Sequence, residues 1–89
     1  MAAASNYVIQ YKKTIIVKAG TRMSSDDILV MVPTAQIVEV RNASTRIGVN
    51  GGDAVSYRYG DIGVVANGDT WMFLEDTEVA IGVMVNLLP

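Results

Sequence analysis

The sequence predicts an all-β domain, a compact antiparallel sandwich or small barrel of about seven to eight short strands with at most one helical turn. Three observations carry this. Apolar and polar residues alternate with a period of two along most of the chain, the spacing of a half-buried strand. Asn-Gly and Gly-Asp pairs punctuate the second half, and these tolerate the positive φ of tight turns. Spacing of three to four residues, the mark of an amphipathic helix, is nearly absent.

Taken in order, residues 1–6 (Met-Ala-Ala-Ala-Ser-Asn) read as an N-terminal arm and residues 7–89 as one β domain. Tyr7–Tyr11 and Thr14–Lys18 are strands, either paired or one long strand bent at Lys12-Lys13, and Gly20 ends them. Ser24 and Asp27 have capping-box spacing, enough for one helical turn. Ile28–Val32 is short and β-branched and is stopped by Pro33, so it is expected as a buried strand. Gln36–Arg41 alternates Val38 and Val40 with Glu39 and Arg41. Two hairpins follow: Thr45–Val49 with Ala54–Tyr59 across Asn50–Asp53, and Ile62–Ala66 with Thr70–Glu75 across Asn67–Asp69. Gly-Asp recurs at 52–53, 60–61 and 68–69, a period of eight that suits a meander. The segment Glu78–Asn86 closes the domain. It is apolar on both sides, which places it centrally in a two-layer packing or in a subunit contact.

Eighty-nine residues bury only about 60–65% of the surface of the unfolded chain, so a core this small is marginal without reinforcement. Cysteine and histidine are both absent, which removes disulfides, thiolate ligands and the commonest metal ligand and general base. Oligomerisation is the remaining remedy. Apolar residues make up 51% of the chain and charged residues only 18%, below the usual ~25%, so part of the apolar surface is expected to face another subunit. The net charge of −2 hides an asymmetry. Residues 1–50 carry six basic against three acidic side chains, net +3; residues 51–89 carry one against six, net −5. Such halves form a dipole if they occupy different surfaces and cancel if their strands intermix.

No catalytic constellation stands out. Without Cys or His, Ser24, Ser25, Ser44 and Ser56 lack a strong base and suit caps, turns and strand surfaces. The carboxylate clusters Asp26/Asp27 and Glu75/Asp76/Glu78 lie at strand ends, the ordinary place for solvated acids. Asp53, Asp61 and Asp69 follow glycines in turn positions and are read as turn residues rather than Ca²⁺ ligands. Asn50-Gly-Gly-Asp53 opens a strand, not a helix, and carries an acid, against phosphate binding. Tyr7, Tyr11, Lys12, Lys13 and Lys18 are too few for a nucleic-acid face at a pI near 4.8. The longest apolar run, Val79–Val85, is far short of a membrane helix, and the start lacks the character of a signal peptide. The expectation is therefore a non-enzyme without cofactor, metal, small-molecule ligand, nucleic acid or membrane partner, made in the cytoplasm.

Interaction surface has the most support. Trp71 and Phe73 share one face of their strand and fill the core, leaving Met72 and Leu74 on the opposite face as contact residues. Tyr57 and Tyr59 share a face of the preceding strand. Met72 and Leu74, with the arm residues Met1, Ala2, Ala3 and Ala4 and the closing residues Met84, Leu87 and Leu88, form the expected interface.

In its Ala/Ser-rich start (residues 1–6), its Gly-Asp turns and its apolar ending (Val79–Pro89), the chain resembles small structural proteins of tailed-phage virions, especially capsid decoration or cement proteins. The resemblance is one of whole-chain character. It implies a virion location and a homo-oligomer, a trimer in preference to a dimer, attached to a larger assembly such as a capsid. The other expectation is a small binding module or inhibitor of anti-host type, whose acidic second half covers a partner's basic site.

Overall fold

The computed structural model describes residues 6–87. Eight strands and one helix follow in order: β1 (Tyr7–Val17), β2 (Arg22–Ser24), α1 (Ser25–Met31), β3 (Ile37–Val40), β4 (Thr45–Val49), β5 (Ala54–Tyr57), β6 (Ile62–Val64), β7 (Thr70–Phe73) and β8 (Thr77–Asn86). They form two four-stranded antiparallel sheets, ordered β1-β8-β3-β6 and β2-β7-β4-β5. The all-β sandwich is the expected class. Its core lies between the sheets: Val17, Val40, Val79 and Ile81 from the first meet Ile47, Trp71 and Phe73 from the second, and Ile28, Val32 and Ala35 close one side.

β1 is the single bent strand. Its register with β8 shifts between Tyr11 and Lys13, so Lys12 is the extra residue of a bulge. The bulge has a consequence for side chains. Strict alternation would put Tyr7, Ile9 and Tyr11 on the face of Ile15 and Val17; the extra residue reverses the phase. Ile15 and Val17 turn inward to the core, and Tyr7, Ile9 and Tyr11 turn outward beside Asn86, Met84 and Gly82.

Three local expectations are corrected. Ile28–Met31 is helical rather than a strand. The Ser24 hydroxyl accepts from the Asp27 N–H and the Asp27 carboxylate from the Ser24 N–H, a reciprocal cap. The helix runs on to a C-cap at Val32, whose N–H still donates to the Ile28 carbonyl. A continuous apolar run has no period of its own, and here the cap decides. β6 and β7 are not a hairpin, since β6 pairs with β3 and β7 with β2 and β4, in opposite sheets. The Gly-Asp repeat therefore does not build a meander. The turns at 58–61 and 66–69 carry the chain from one sheet to the other.

Those turns share one construction. The Asp61 and Asp69 N–H groups donate to the Arg58 and Ala66 carbonyls, and φ is positive at Gly60 (93°) and Gly68 (85°) alone, the type II pattern. Each aspartate then accepts the N–H of the turn's first residue, Arg58 or Ala66, on its carboxylate. The β4–β5 connection differs: φ is positive at both Asn50 (52°) and Gly51 (76°), the type I′ signs of a true hairpin.

The charge asymmetry cancels, because every sheet interleaves strands from both halves of the chain. Arg46 meets Glu75 at 2.9 Å and Lys18 lies 3.7 Å from Asp76, each pair joining the halves. The buried hydroxyls of Ser25, Thr45 and Thr77 are matched as well. Thr77 donates to the Glu75 carbonyl and shares a 2.6 Å hydroxyl contact with Thr45, and Ser25 accepts from the Gly68 N–H.

Two outcomes follow from these ties. Gly68 has open space around its Cβ position, so only backbone strain opposes a side chain there. Gly68→Val should cost about 1–2 kcal/mol and Gly68→Asn clearly less, measured by urea unfolding, because Asn tolerates positive φ. Glu75 is held below its ordinary 4.5 by the Arg46 guanidinium, Asp76 below 3.8 by the Ala19 N–H and Lys18, and Asp27 below 3.8 by the Ser24 cap. Depressed carboxylates stabilise above their unfolded values and lose that contribution as pH falls through the folded ones. The unfolding midpoint should stay level from about pH 7 to 5 and decline below about 4.5. Glu75→Gln should make that decline shallower.

Candidate interaction surface

The outward face of the β1-β8-β3-β6 sheet is built in rows. Register places Tyr11, Gly82, Ile37 and Val64 side by side across all four strands, with Thr14, Ala80, Glu39 and Ile62 in the next row. Ile37 and Ala80 are buried although they face away from the main core, so this side of the sheet carries apolar packing of its own. Around them Ile16, Ile62 and Val64 are exposed.

At the centre of the face Tyr11, Glu39, Arg41 and Tyr59 lock together. Gly82 makes room for this. A Cβ there would stand 2.9 Å from the Gln10 carbonyl oxygen, 2.9 Å from the Ile9 methyl and 3.2 Å from the Tyr11 ring. The Tyr11 ring thus lies against a bare glycine, and its hydroxyl donates to the Glu39 carboxylate. The Arg41 guanidinium sits over the Tyr11 ring at 4.6 Å and the Tyr59 ring at 5.6 Å, and donates to the Tyr59 hydroxyl at 3.3 Å. Its buried Nε lies 2.6 Å from Glu39, a close ion contact without hydrogen-bond geometry.

The electrostatics match. Donation to Glu39 raises the Tyr11 hydroxyl above its ordinary 10.0, with burial and the Glu39 charge adding to it. For Arg41, partial burial opposes the charge, but the Tyr59 hydroxyl and Glu39 outweigh it and hold the guanidinium protonated. Glu39 thus serves both Tyr11 and Arg41. What the cluster offers is a rigid plate of aromatic and guanidinium surface, the kind of surface that anchors protein contacts.

Beyond this plate the sheet narrows to two strands. β3 pairs with β8 only from Val79 to Gly82, while β8 continues to Asn86 against β1. The Gln36 side chain ends the β3 side by accepting the Met84 N–H at 2.7 Å. None of residues 7–10 and 83–86 joins the core cluster or packs against it. Tyr7 and Val8 are each 47% exposed and Met84 38%. Residues 6–11 and 82–87 contain no charged side chain, in a chain that carries sixteen.

The expected interface residues fall in two places. Met84 (opposite Ile9) and Leu87 (62% exposed) belong to this two-stranded extension. Met72 is half-buried on the outer face of the other sheet, between Gly48 and Arg22, and Leu74 follows it at the end of β7. The structure does not bring the two groups together. Met1, Ala2, Ala3, Ala4 and Leu88 lie outside the described residues. Trp71 and Phe73 fill the core as expected. Tyr57 and Tyr59 do not share a face, because β5 ends at Tyr57, which packs against the core, while Tyr59 turns out over Arg41. Sequence reasoning missed the Tyr11–Glu39–Arg41–Tyr59 cluster. Its one sequence signal was the Glu39/Arg41 pair on the polar side of β3.

Other sites are modest. The gap between the sheets, lined mainly by Val38, Val40, Ile47, Trp71 and Phe73, holds about 30 Å³, against ~300 Å³ for small ligand pockets. Among the described residues no three His, Cys, Asp or Glu side chains converge to hold a metal, and no helix is long and apolar enough to cross a membrane. Comparison with protein-family models, curated proteins and solved structures finds no match to this chain.

Gly82→Ala tests the plate directly. The added methyl meets the Gln10 carbonyl oxygen as well as the Ile9 and Tyr11 side chains, and the backbone oxygen cannot swing away, so the variant should lose about 1–3 kcal/mol in urea unfolding. The Tyr11 ring-proton resonances, assigned by NMR, should shift as the ring is displaced. An unchanged midpoint would mean that Tyr11 does not depend on that glycine.

Proposed function

We propose that this chain is a structural assembly protein that binds copies of itself and attaches to a larger protein assembly, as phage capsid decoration or cement proteins do. The observation that carries this reading is the charge-free, two-stranded extension of β1 and β8. Two-stranded ribbons are marginal in water unless a further strand or surface covers them, and this one shows apolar side chains on both faces. The rigid Tyr11–Arg41–Tyr59 plate beside it supplies a second contact region. In this reading the protein works in the virion, without cofactor, and carries no reaction of its own.

The test is native mass by multi-angle light scattering at about 100 μM, with a charge placed on the ribbon. The parent should be oligomeric. Met84→Asp should reduce the mass to 9.6 kDa without changing the circular dichroism spectrum, because Met84 lies outside the core and a buried unpaired charge at a contact costs several kcal/mol. A parent that stays at 9.6 kDa would remove the self-association and leave a one-to-one blocking protein as the better reading.

A further inference from the structure

Among the described residues no strand pairs with the outer edge of β1, and the polarity of that edge decides what can pair with it. The Leu87 N–H donates to the Asn6 carbonyl, and the register runs Tyr7 opposite Asn86, Val8 opposite Val85, Ile9 opposite Met84. Even-numbered residues of this half of β1 therefore bond to β8. Tyr7 and Ile9, and Tyr11 as the bulge begins, turn their backbone N–H and C=O groups to the free side. β1 is eleven residues long, whereas the other sheet edges, β2, β5 and β6, have three, four and three. Among the described residues it is the one edge with room for an extended ladder. Short edges, lysines and bulges are how proteins block unwanted strand pairing. Here Lys12, Lys13 and the bulge protect only the middle of β1 and leave Tyr7–Tyr11 unguarded.

We infer that Tyr7–Tyr11 pairs antiparallel with the same segment of a second copy, about a two-fold axis at Ile9. This rests on the assembly reading above and specifies its contact. Ile9 then faces Ile9 of the second copy, and Tyr7 faces Tyr11. All of these are residues whose backbone groups point outward, so the ladder forms without disturbing β1–β8. Two marginal ribbons become one four-stranded sheet, β8-β1-β1-β8, with Tyr7, Ile9, Tyr11 and Met84 of both copies on one continuous face. The lysines select this register. Centred on Ile9, Lys12 stands across from Asn6, and the two Lys12 residues are six positions apart, about 20 Å along the strand, beyond the ~8–10 Å screening length. Sliding the pairing towards Lys12-Lys13 would set like charges opposite one another, which destabilises a ladder. The segment's own lack of charge removes any comparable penalty at the axis.

The absence of cysteine from the chain makes single-cysteine variants clean reporters. Ile9→Cys should form a disulfide-linked dimer under mild oxidation, because its counterpart lies directly across the axis. Ile16→Cys, exposed on the same strand but beyond the lysines, should not. Tyr7→Pro removes an outward N–H only and should yield a folded monomer, whereas Val8→Pro removes an N–H bonded to β8 and should destabilise the domain itself. Light scattering should give twice 9.6 kDa, or an even multiple, for the parent. A trimer overturns the two-fold contact, as does an oligomer that persists in Tyr7→Pro or links equally well through Ile9→Cys and Ile16→Cys. Those results leave the assembly reading standing with a different contact. A parent that is monomeric overturns both.

Discussion

The antiparallel pairing of β1 with β8 sets the place of nearly everything else. It joins Tyr7 to Asn86 and Val17 to Thr77, and it places β8 as an inner strand of its sheet. β3 can then dock on the other side of β8 through Ile37–Val40, and β6 on β3. Val79 and Ile81 point into the sandwich from the middle of that arrangement, where no sheet edge lets water reach them. Ile81 and Ala80 are both 0% exposed, on opposite faces of one strand, which only an inner strand covered on both sides achieves. The core is small, and its stability leans on this one strand being in register.

The same pairing separates two regimes along β8. From Val79 to Gly82 it is flanked by strands on both sides, and just before them Asn42 accepts the Glu78 N–H and donates to the Asp76 carbonyl. From Val83 onward, among the described residues, it has one partner strand and adds no residue to the core cluster. Gly82 stands at the change. Its missing side chain lets Tyr11 fold down over the sheet and reach Glu39, so the end of the packed region and the start of the aromatic plate are one feature. The Lys12 bulge, next to it in the ladder, turns the apolar side chains of one continuous strand inward on one side of the boundary and outward on the other.

Much of the architecture was legible in local pattern. Val38 and Val40 alternate with Glu39 and Arg41 and do line the core, Asn50-Gly51 does close a hairpin, and Ser24 and Asp27 do cap a helix. What failed was decided by distant partners. Ile28–Val32 is apolar throughout, so periodicity could not separate a strand from a helix. Asn67-Gly68 has the chemistry of a tight turn and makes one, but whether the strands beside it pair depends on which sheet each joins, and that is a matter of packing across the whole chain. The aromatic plate was illegible for the same reason: Tyr11, Arg41 and Tyr59 come from separate strands and loops. On the two-stranded extension, Met84 and Leu87 stood out in the sequence through the apolar character of the closing segment, whereas the β1 half of the extension was hidden by its resemblance to an ordinary strand.

Placing the two most distant strands side by side also shapes how the domain is acquired. β1 is made well before its neighbour in the sheet, β8, whose paired residues lie from 60 (Val17 to Thr77) to 79 (Tyr7 to Asn86) positions further on. Until β8 has been made, β1 and β3 have no strand between them, and the buried positions of both remain in water. Closing a loop of that length must precede the contacts that reward it. Between the making of β1 and that of β8 the nascent protein therefore carries an unpaired, uncharged Tyr7–Tyr11 strand, a template for premature pairing between neighbouring chains on one message. The lysines that follow it, Lys12 and Lys13, then limit how far such a mispaired ladder can spread.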